Sequence, residues 1–233
     1  MTLLGFDTAT NACSAALLAD GEVTAFRCIE AGGKHAEALV PLLREVSAEG
    51  GVPLAAVDRF AVTVGPGSFT GIRIGLATAR GLALALERPL IGLSTLEVLA
   101  AGVPAAERHG SILAALDAGR GRLYAQLFTP SLEALCEPRA LDAETLPNIV
   151  AEAGQGGPLM VVGTGQAVAL AALASELEAR PAPGSPTPDA RVLVRRAAAR
   201  AEPGGGDAAV RPLYLREAGA RPRTRSDGEP LHG

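Results

Sequence analysis

Aromatic residues, lysine and cysteine are scarce in this sequence. Tryptophan is absent and aromatic residues make up 3% of the 233 residues, so aliphatic side chains must fill any core. Lysine occurs only at Lys34, and the other Lys/Arg positions are all arginine. The cysteines are odd in number and form no CxxC pair: Cys13, Cys28 and Cys136. We therefore expect reduced thiols in a cytoplasmic protein.

Histidine is equally rare, with only His35, His109 and His232. No HxxxH or HExxH pattern occurs, which argues against a histidine metal centre and gives no basis for a catalytic triad. No basic flank precedes the first apolar run, so we expect no signal peptide. No apolar run of bilayer-spanning length is free of glycine, proline and charge, so we expect no membrane segment.

The charge balance argues against a protein that binds nucleic acid by itself. The net charge is −4 and the sequence pI is about 5.5, whereas such proteins usually have a basic face. Basic residues cluster only near the end of the chain. This cluster is either a solvated tail or an RNA-binding arm, and its arginines are Arg211, Arg216, Arg221, Arg223 and Arg225.

The beginning and the middle of the chain contain the same order of expected elements. Near the N-terminus, a buried strand reaches Asp7, and two more strands follow, separated by the hairpin signal Asp20-Gly21. In the middle, a strand with Asp117 near its end is again followed by a small-residue turn and two strands. The repeat predicts two similar lobes. The expected strands cover residues 3–9, 13–19 and 22–30 in the first unit, and 111–119, 122–128 and 132–138 in the second.

The remaining segments alternate between helix and strand. Apolar spacing predicts a helix over 34–46, in which Pro41 marks either a kink or a late start of the helix, and a helix over 71–87 that packs closely through small residues. Thr95 is expected to cap a helix over 96–101, and Asp189 one over 191–201. Such alternation predicts parallel strand pairs with right-handed crossovers. The other expected elements are strands at 59–66, 89–95 and 159–163, helices at 143–153 and 166–178, a loop at 180–188, a break at 204–206 and an extended piece at 210–217.

The segment "GPGSFTGIR", residues 65–73, places three glycines between a strand and a helix. Gly71 is not followed by the Lys-Ser/Thr pair of a phosphate-binding P-loop. Gly65 and Gly67 fit the first two positions of a dinucleotide fingerprint, but Thr70 occupies the third. An anion at the helix N-terminus is one interpretation. The other is a turn at Gly67 with positive φ, with Ser68 or Thr70 capping the helix.

Asp7 and Asp117 are candidate functional carboxylates, because each lies near the end of the first strand of a repeated unit. Facing a cleft between the lobes, the pair could hold a hydrated Mg²⁺ with a nucleotide. Alternatively, each carboxylate accepts hydrogen bonds from its own tight turn. A further glycine-rich candidate for nucleotide contact is "VVGTGQ", residues 161–166.

Several blocks together resemble the TsaB family, also called YeaZ. They include "LLGFDTATNACSAALL", "KHAEALVPLL", "GPGSFTGIRIG", "LDAGRGRLYAQLF" and "PLYLR", in order from about residue 2 to residue 216. The resemblance implies an α/β protein with the two-lobed actin-like ATPase fold, which is ribonuclease H-like and duplicated. The expected organisation is a first lobe over 1–105, with the helix over 189–201 packed on it, a second lobe over 106–216, and a disordered tail over 217–233.

The resemblance also implies a function. The family member is expected to be a non-catalytic subunit of the bacterial complex that makes N6-threonylcarbamoyladenosine at position 37 of tRNAs reading ANN codons. It would bind and activate TsaD, with TsaE and ATP joining the complex, and it would reach tRNA only through that complex. Alone, it would form a homodimer. No cofactor of its own and no catalytic residue are expected.

The resemblance places the interface with TsaD, or with a second copy of the chain, on an exposed apolar stripe of the helix over 34–46. This stripe would pack in a helix bundle across the interface. The alternative is that the leucines of this stripe face the protein's own core. A competing function is a free-standing small-molecule kinase or ATPase that uses Asp7 and Asp117. Peptidase activity has been attributed to relatives of this fold, but this sequence shows no combination of nucleophile, base and metal ligands that would support it. The expected interface residues are His35, Leu39, Leu42, Leu43, Val46, Ile72 and Leu76.

Overall fold

The structure is a computed structural model, and it describes residues 1–153, 158–174, 177–200 and 210–215. These residues contain two five-stranded mixed sheets. The first consists of β1 (Thr2–Asp7), β2 (Ala12–Ala19), β3 (Glu22–Glu30), β4 (Arg59–Thr63) and β5 (Leu90–Leu93). The second consists of β6 (Ser111–Gly119), β7 (Arg122–Phe128), β8 (Arg139–Asp142), β9 (Leu159–Val162) and β10 (Ala179–Pro181).

The strand order confirms the repeat. The first sheet is ordered β3-β2-β1-β4-β5, and the second, read from its opposite edge, is β8-β7-β6-β9-β10. In both sheets the first three strands form an antiparallel meander, and the fourth strand lies parallel to the first on its other side. At the hairpin between β2 and β3, Asp20 and Gly21 both have positive φ, 51° and 89°, as the Asp-Gly signal predicts.

Helices connect the parallel strands and cover both faces of each sheet. α1 continues through Pro41. Proline has no N–H, so one carbonyl of the helix lacks its usual partner. Because Pro41 is exposed, that carbonyl lies on the solvent side of the helix. Ser94, one residue before the expected Thr95, caps α3 by accepting the Leu96 N–H, and Asp189 caps α6 as predicted. The helices are α1 (His35–Glu49), α2 (Phe69–Leu86), α3 (Thr95–Ala101), α4 (Leu146–Glu152), α5 (Gln166–Leu173) and α6 (Ala190–Ala199).

The two halves of the chain exchange helices. α6 comes from the second half, yet its Leu193 and Val194 are buried with Leu3 of β1 on the first sheet. α3 comes from the first half, yet its Leu96 and Leu99 are buried against the second sheet. The opposite face of the first sheet is covered by α1 and α2, and that of the second by α4 and α5. Each sheet is therefore enclosed between helices, which accounts for its nearly continuous apolar strands.

Some sequence-based boundaries are wrong. The third strand of the second unit is β8, not residues 132–138, because residues 129–133 form a turn and Pro138 has no N–H to donate to a ladder. The expected loop over 180–188 contains the end of β10, and α5 ends at Leu173 rather than at 178. The expected break at 204–206 and the expected tail over 217–233 lie outside the described residues.

Within the described part of the chain, α2 alone is long and apolar enough to meet the length and hydropathy criteria of a membrane span. It also carries Arg73 and Arg80, and it packs on β4. Its small residues Gly75, Ala79 and Ala83 are buried, as the predicted close-packing side requires. We interpret α2 as a core helix of the first lobe.

Candidate functional site

The glycine-rich segment after β4 lies directly on the turn after β1. The Ser68 N–H donates to the Ala9 carbonyl at 2.8 Å, and the Thr8 hydroxyl donates to the Gly71 carbonyl at 2.7 Å. A Cβ added to Gly67 would lie 2.3 Å from the Ala9 carbonyl oxygen, and one added to Gly71 would lie 1.9 Å from that of Thr8. Both positions therefore require glycine because another backbone occupies the space of a side chain.

This packing favours the turn interpretation over a phosphate loop. The Ser68 hydroxyl caps α2 by accepting the Gly71 N–H at 3.2 Å, as one alternative predicted. Two backbone donors of the segment are thus already used within the protein. Gly67 also lines the neighbouring cleft, but its φ of +156° and the approach of Ala9 explain the glycine without a ligand.

The second lobe repeats this contact after β9. The Gly165 N–H donates to the Ala115 carbonyl at 3.0 Å, and a Cβ on Gly163 would lie 2.1 Å from that same carbonyl oxygen. The Thr164 hydroxyl accepts the Asp117 N–H at 3.0 Å. The segment "VVGTGQ" is thus explained by packing between the β9–α5 loop and β6.

The two candidate aspartates occupy different environments. Asp7 is completely buried, where its Oδ1 accepts the Thr63 hydroxyl and the Ala9 N–H. Burial raises the pKa of Asp7 to about 7, although these hydrogen bonds act in the opposite direction. Asp117 is exposed, and its Oδ1 accepts the Gly119 N–H at 2.7 Å. Each carboxylate thus accepts a hydrogen bond from its own turn, as the alternative to a metal site predicted.

A cleft of about 350 Å³ lies between the lobes. Asp117 lines it and Asp7 does not, so the expectation of two carboxylates facing the cleft is wrong. The lining contains hydroxyl and amide groups but neither lysine nor arginine, and the described residues contain no group of three or more potential metal ligands of the His, Cys, Asp and Glu types. The lining residues are Ala9, Thr10, Asn11, Gly67, Ser68, Leu116, Asp117, Ala118, Tyr124 and Thr164.

The expected exposed stripe on α1 and α2 is buried in the protein's own core, as its alternative predicted. All seven expected interface residues are at most 5% exposed, because this side of the helices packs on the first sheet. The His35 ring belongs to the same interior, with Nε2 2.9 Å from the Thr10 carbonyl oxygen. The residues predicted to form an exposed interface and found buried are His35, Leu39, Leu42, Leu43, Val46, Ile72 and Leu76.

The exposed sides of α1 and α2 carry a different set of apolar residues, which we call the outer face. Two large aliphatic residues are prominent on it, with Val40 44% and Leu84 78% exposed. Gly81 faces open space on this side of α2, since a Cβ there would have no neighbour within 4 Å. The two helices contact each other, so these exposures belong to adjacent helices. The outer face consists of Ala36, Val40, Pro41, Ala77, Gly81, Leu84 and Ala85.

A cluster of two aromatic rings and an arginine lies at the start of α2, and sequence reasoning missed it. The Arg73 guanidinium stacks 3.7 Å from the Phe69 ring centroid, and its Nε donates to the Tyr214 hydroxyl at 3.0 Å. The two ring centroids are 5.1 Å apart. We call these residues the Phe69–Arg73–Tyr214 cluster. Because Arg73 and Tyr214 are 141 positions apart in the sequence, no local pattern could reveal it.

Two sheets with the same strand order, packed on either side of a cleft, define a protein of the duplicated, two-lobed actin-like ATPase fold. The activator of 2-hydroxyisocaproyl-CoA dehydratase from Clostridium difficile has the same fold, with a TM-score of 0.50 and 10% identity over 84% of this chain and 94% of that one. YeaZ from Pseudomonas aeruginosa is far more similar. Its TM-score is 0.76 at 30% identity, covering 92% of this chain and 99% of that one.

Sequence comparison defines the family. The tRNA threonylcarbamoyladenosine biosynthesis protein TsaB of Escherichia coli K12 is 37% identical over 71% of this chain and 72% of its own length. The TsaB protein of Haemophilus influenzae is 39% identical, over 53% of this chain and 52% of its own. The chain belongs to the TsaB family. Residues 29–138 also match the model of the TsaD family, described as tRNA N6-adenosine threonylcarbamoyltransferase.

Proposed function

We propose that this protein is a non-catalytic subunit of the complex that makes N6-threonylcarbamoyladenosine in tRNA, and that it binds and activates TsaD in the cytoplasm. TsaE and ATP belong to the working complex, which acts on adenosine 37 of tRNAs that read ANN codons. Membership in the TsaB family supports the pathway. The match of residues 29–138 to the TsaD model supports a pairing of two related subunits.

The outer face of α1 and α2 is the observation that carries this proposal. Leu84 is 78% exposed on a regular helix, and small residues around it let another helix approach closely. Burying one leucine side chain contributes about 1.5–3 kcal/mol. Two helices from each partner would form a four-helix contact across this face. In the absence of TsaD, the same face would join two copies of this chain.

The contents of the cleft support an accessory role. A phosphate-transferring site needs cations or metal ions around the transferred group, and the described lining provides one carboxylate and no basic side chain. The alternative of a free-standing kinase that uses Asp7 and Asp117 gains no support, because Asp7 is buried and only Asp117 lines the cleft.

Size-exclusion chromatography of Leu84→Arg with purified TsaD tests the proposal. Because Leu84 is exposed, the substitution should leave folding intact while placing a charge in the contact, and we expect co-elution with TsaD to be lost. Ile29→Arg is the control, since Ile29 is 38% exposed on β3 rather than on α1 or α2, and it should co-elute like the wild type.

Two outcomes of this experiment would contradict different parts of the proposal. If the wild type co-elutes and Leu84→Arg does so with unchanged affinity, the outer face is not the TsaD contact. If the folded wild type does not associate with TsaD, the proposed function itself is wrong. Light scattering of the chain alone should show that Leu84→Arg is monomeric at concentrations where the wild type dimerises.

A further inference from the structure

The two exchanged helices, α3 and α6, meet at the boundary between the lobes. α3 packs on the second sheet through Leu96 and Leu99, whereas α6 is buried on the first sheet. Gly102 ends α3 and Gly184 precedes α6, and a Cβ added to Gly184 would lie 3.1 Å from the Gly102 carbonyl oxygen. The two segments that cross between the lobes therefore run side by side. Because each helix is fixed to a different sheet, a change in the angle between the lobes has to move α3 against α6.

The apolar contact between these two helices is small. All residues of α3 are described, and Val98 is the one among them that belongs to the buried apolar cluster around α6. Apolar contacts have no preferred direction, so a contact of this size does not by itself fix the angle between two helices. Small sliding movements of packed helices are a common route to domain motion. The angle must therefore be held by other groups.

Three charged side chains bridge the same contact, and we call Glu97, Arg196 and Arg200 the Glu97 cluster. The Glu97 carboxylate on α3 accepts from Arg196 Nη2 at 2.8 Å and from Arg200 Nη2 at 2.6 Å, so each of its oxygens is held by a different arginine. Arg200 Nη1 also donates to the Gly92 carbonyl of β5 at 3.2 Å. The Glu97 side chain is only 13% exposed. Such charge-assisted hydrogen bonds are short and directional, and they tie α3 to α6 and to the first sheet in one geometry.

Further positive charge lies next to the Glu97 cluster. Arg108 follows α3 in the chain and donates to the Val103 and Ala101 carbonyls at 2.8 and 3.1 Å. Burial and the neighbouring charge of Arg196 lower the pKa of Arg108. The carboxylate of Glu97 therefore offsets repulsion among arginines on both sides of the contact. Without this carboxylate, the same arginines would push the two helices apart.

We propose that the Glu97 cluster is a hinge clamp that holds the two lobes at one fixed angle. In enzymes with a cleft between two lobes, a hinge allows the lobes to close around a ligand. Here the clamp opposes that motion, so the cleft keeps one width and the described lobes behave as a single rigid body. A rigid protein loses less conformational entropy when it binds a partner. The inference depends on the contacts between α3 and α6, and it stands or falls independently of the proposed function.

Pulsed electron paramagnetic resonance between two spin labels tests the clamp. The labels are attached to Glu45→Cys on α1 and Ala171→Cys on α5, two exposed positions on the helices that cover the outer faces of the first and second sheet. Cys28 and Cys136 are replaced by serine, and the buried Cys13 is kept. In the chain with an intact Glu97 cluster, we expect a single narrow distribution of distances between the labels.

Two substitutions in the cluster should lose this narrow distribution to different degrees. Glu97→Gln keeps the size of the side chain and removes both ion pairs, so the distribution should broaden most. Arg200→Gln leaves the Arg196 pair in place and should give an intermediate width. Because Arg200 is 45% exposed at the end of α6, its substitution also decides the question if Glu97→Gln fails to fold.

Glu152→Gln is the matched control. It makes the same chemical change and also breaks an ion pair with an arginine, 3.0 Å to Arg139, but both partners belong to the second lobe. Its distance distribution should equal that of the intact chain. A broad distribution in the intact chain, or unchanged distributions in both cluster variants, overturns the proposal. Equal broadening by Glu152→Gln overturns it as well, because the effect would then belong to any surface ion pair.

Discussion

Two identical substitutions in α2 test whether the glycine-rich segment is an element of architecture. Gly71→Ala and Gly81→Ala both replace a helical glycine with the best helix former. At Gly81 the new methyl group enters open space, with no atom within 4 Å. At Gly71 it would lie 1.9 Å from the backbone carbonyl oxygen of Thr8, whereas real Cβ contacts are almost never shorter than 3.0 Å. The same chemical change therefore has opposite expected signs ten residues apart.

The magnitudes follow from these surroundings. Replacing glycine by alanine inside a helix stabilises it by about 0.5–1 kcal/mol, and Gly81→Ala should gain this amount. At Gly71, overpacking costs about 1–3 kcal/mol. The displaced backbone also strains the Thr8–Gly71 and Ser68–Ala9 hydrogen bonds, each with a net contribution of about 1 kcal/mol. We expect Gly71→Ala to be destabilised by about 2–4 kcal/mol relative to the wild type.

Urea denaturation followed by circular dichroism measures both free energies of unfolding. The two variants should lie on opposite sides of the wild type, with midpoints clearly separated and similar slopes. If Gly71→Ala were as stable as Gly81→Ala, the close contact between the glycine-rich segment and the β1–β2 turn would not exist in solution. The phosphate interpretation of the segment would then have to be reopened.

Two further predictions concern buried ionisable groups. The raised pKa of Asp7, about 7 against an ordinary value of 3.8, means that the folded state holds its proton more tightly, so stability should fall as pH rises between these values, by at most about 4 kcal/mol. Denaturation curves from pH 5 to pH 8 should show this decline in the wild type and a flatter profile in Asp7→Asn, which cannot ionise; equal slopes would contradict it. Burial raises the pKa of Cys13 to about 12, so maleimide at pH 8 should modify the exposed Cys28 and spare Cys13 until denaturant is added, as mass spectrometry of peptides can check.

Local signals in the sequence predicted most of the fold. The Asp20-Gly21 turn, the apolar strands and the cap at Asp189 each depend on a few neighbouring residues, and the structure confirms them. The helical stripe over Leu39 and Leu43 was also detected correctly as a stripe. Periodicity alone, however, cannot say whether such a stripe meets the protein's own sheet or a partner, and here it meets the sheet.

The functional surfaces were harder to predict because they depend on contacts between distant residues. In the sequence, Leu84 cannot be distinguished from the other apolar residues of α2. Only the packing of α2 on the first sheet shows that Leu84 faces solvent. Phe69 and Tyr214 are brought together by a segment that follows the last described helix. Neither surface leaves a pattern in a single sequence, since exposure is a property of the assembled chain.

The failure of the aspartate pair has a more specific cause, which is strand register. In the first lobe, Phe6 pairs with β4, so Asp7 lies one residue beyond that pairing. In the second lobe, Ala114 is the last residue paired with β9, so Asp117 lies three residues beyond. This two-residue shift moves a side chain about 6–7 Å along a strand. Asp117 is thereby carried onto the part of the β6–β7 hairpin that projects into solvent, while Asp7 stays beneath Thr63. The two turns share a sequence pattern but not a register, so the duplication of the fold did not duplicate a carboxylate site.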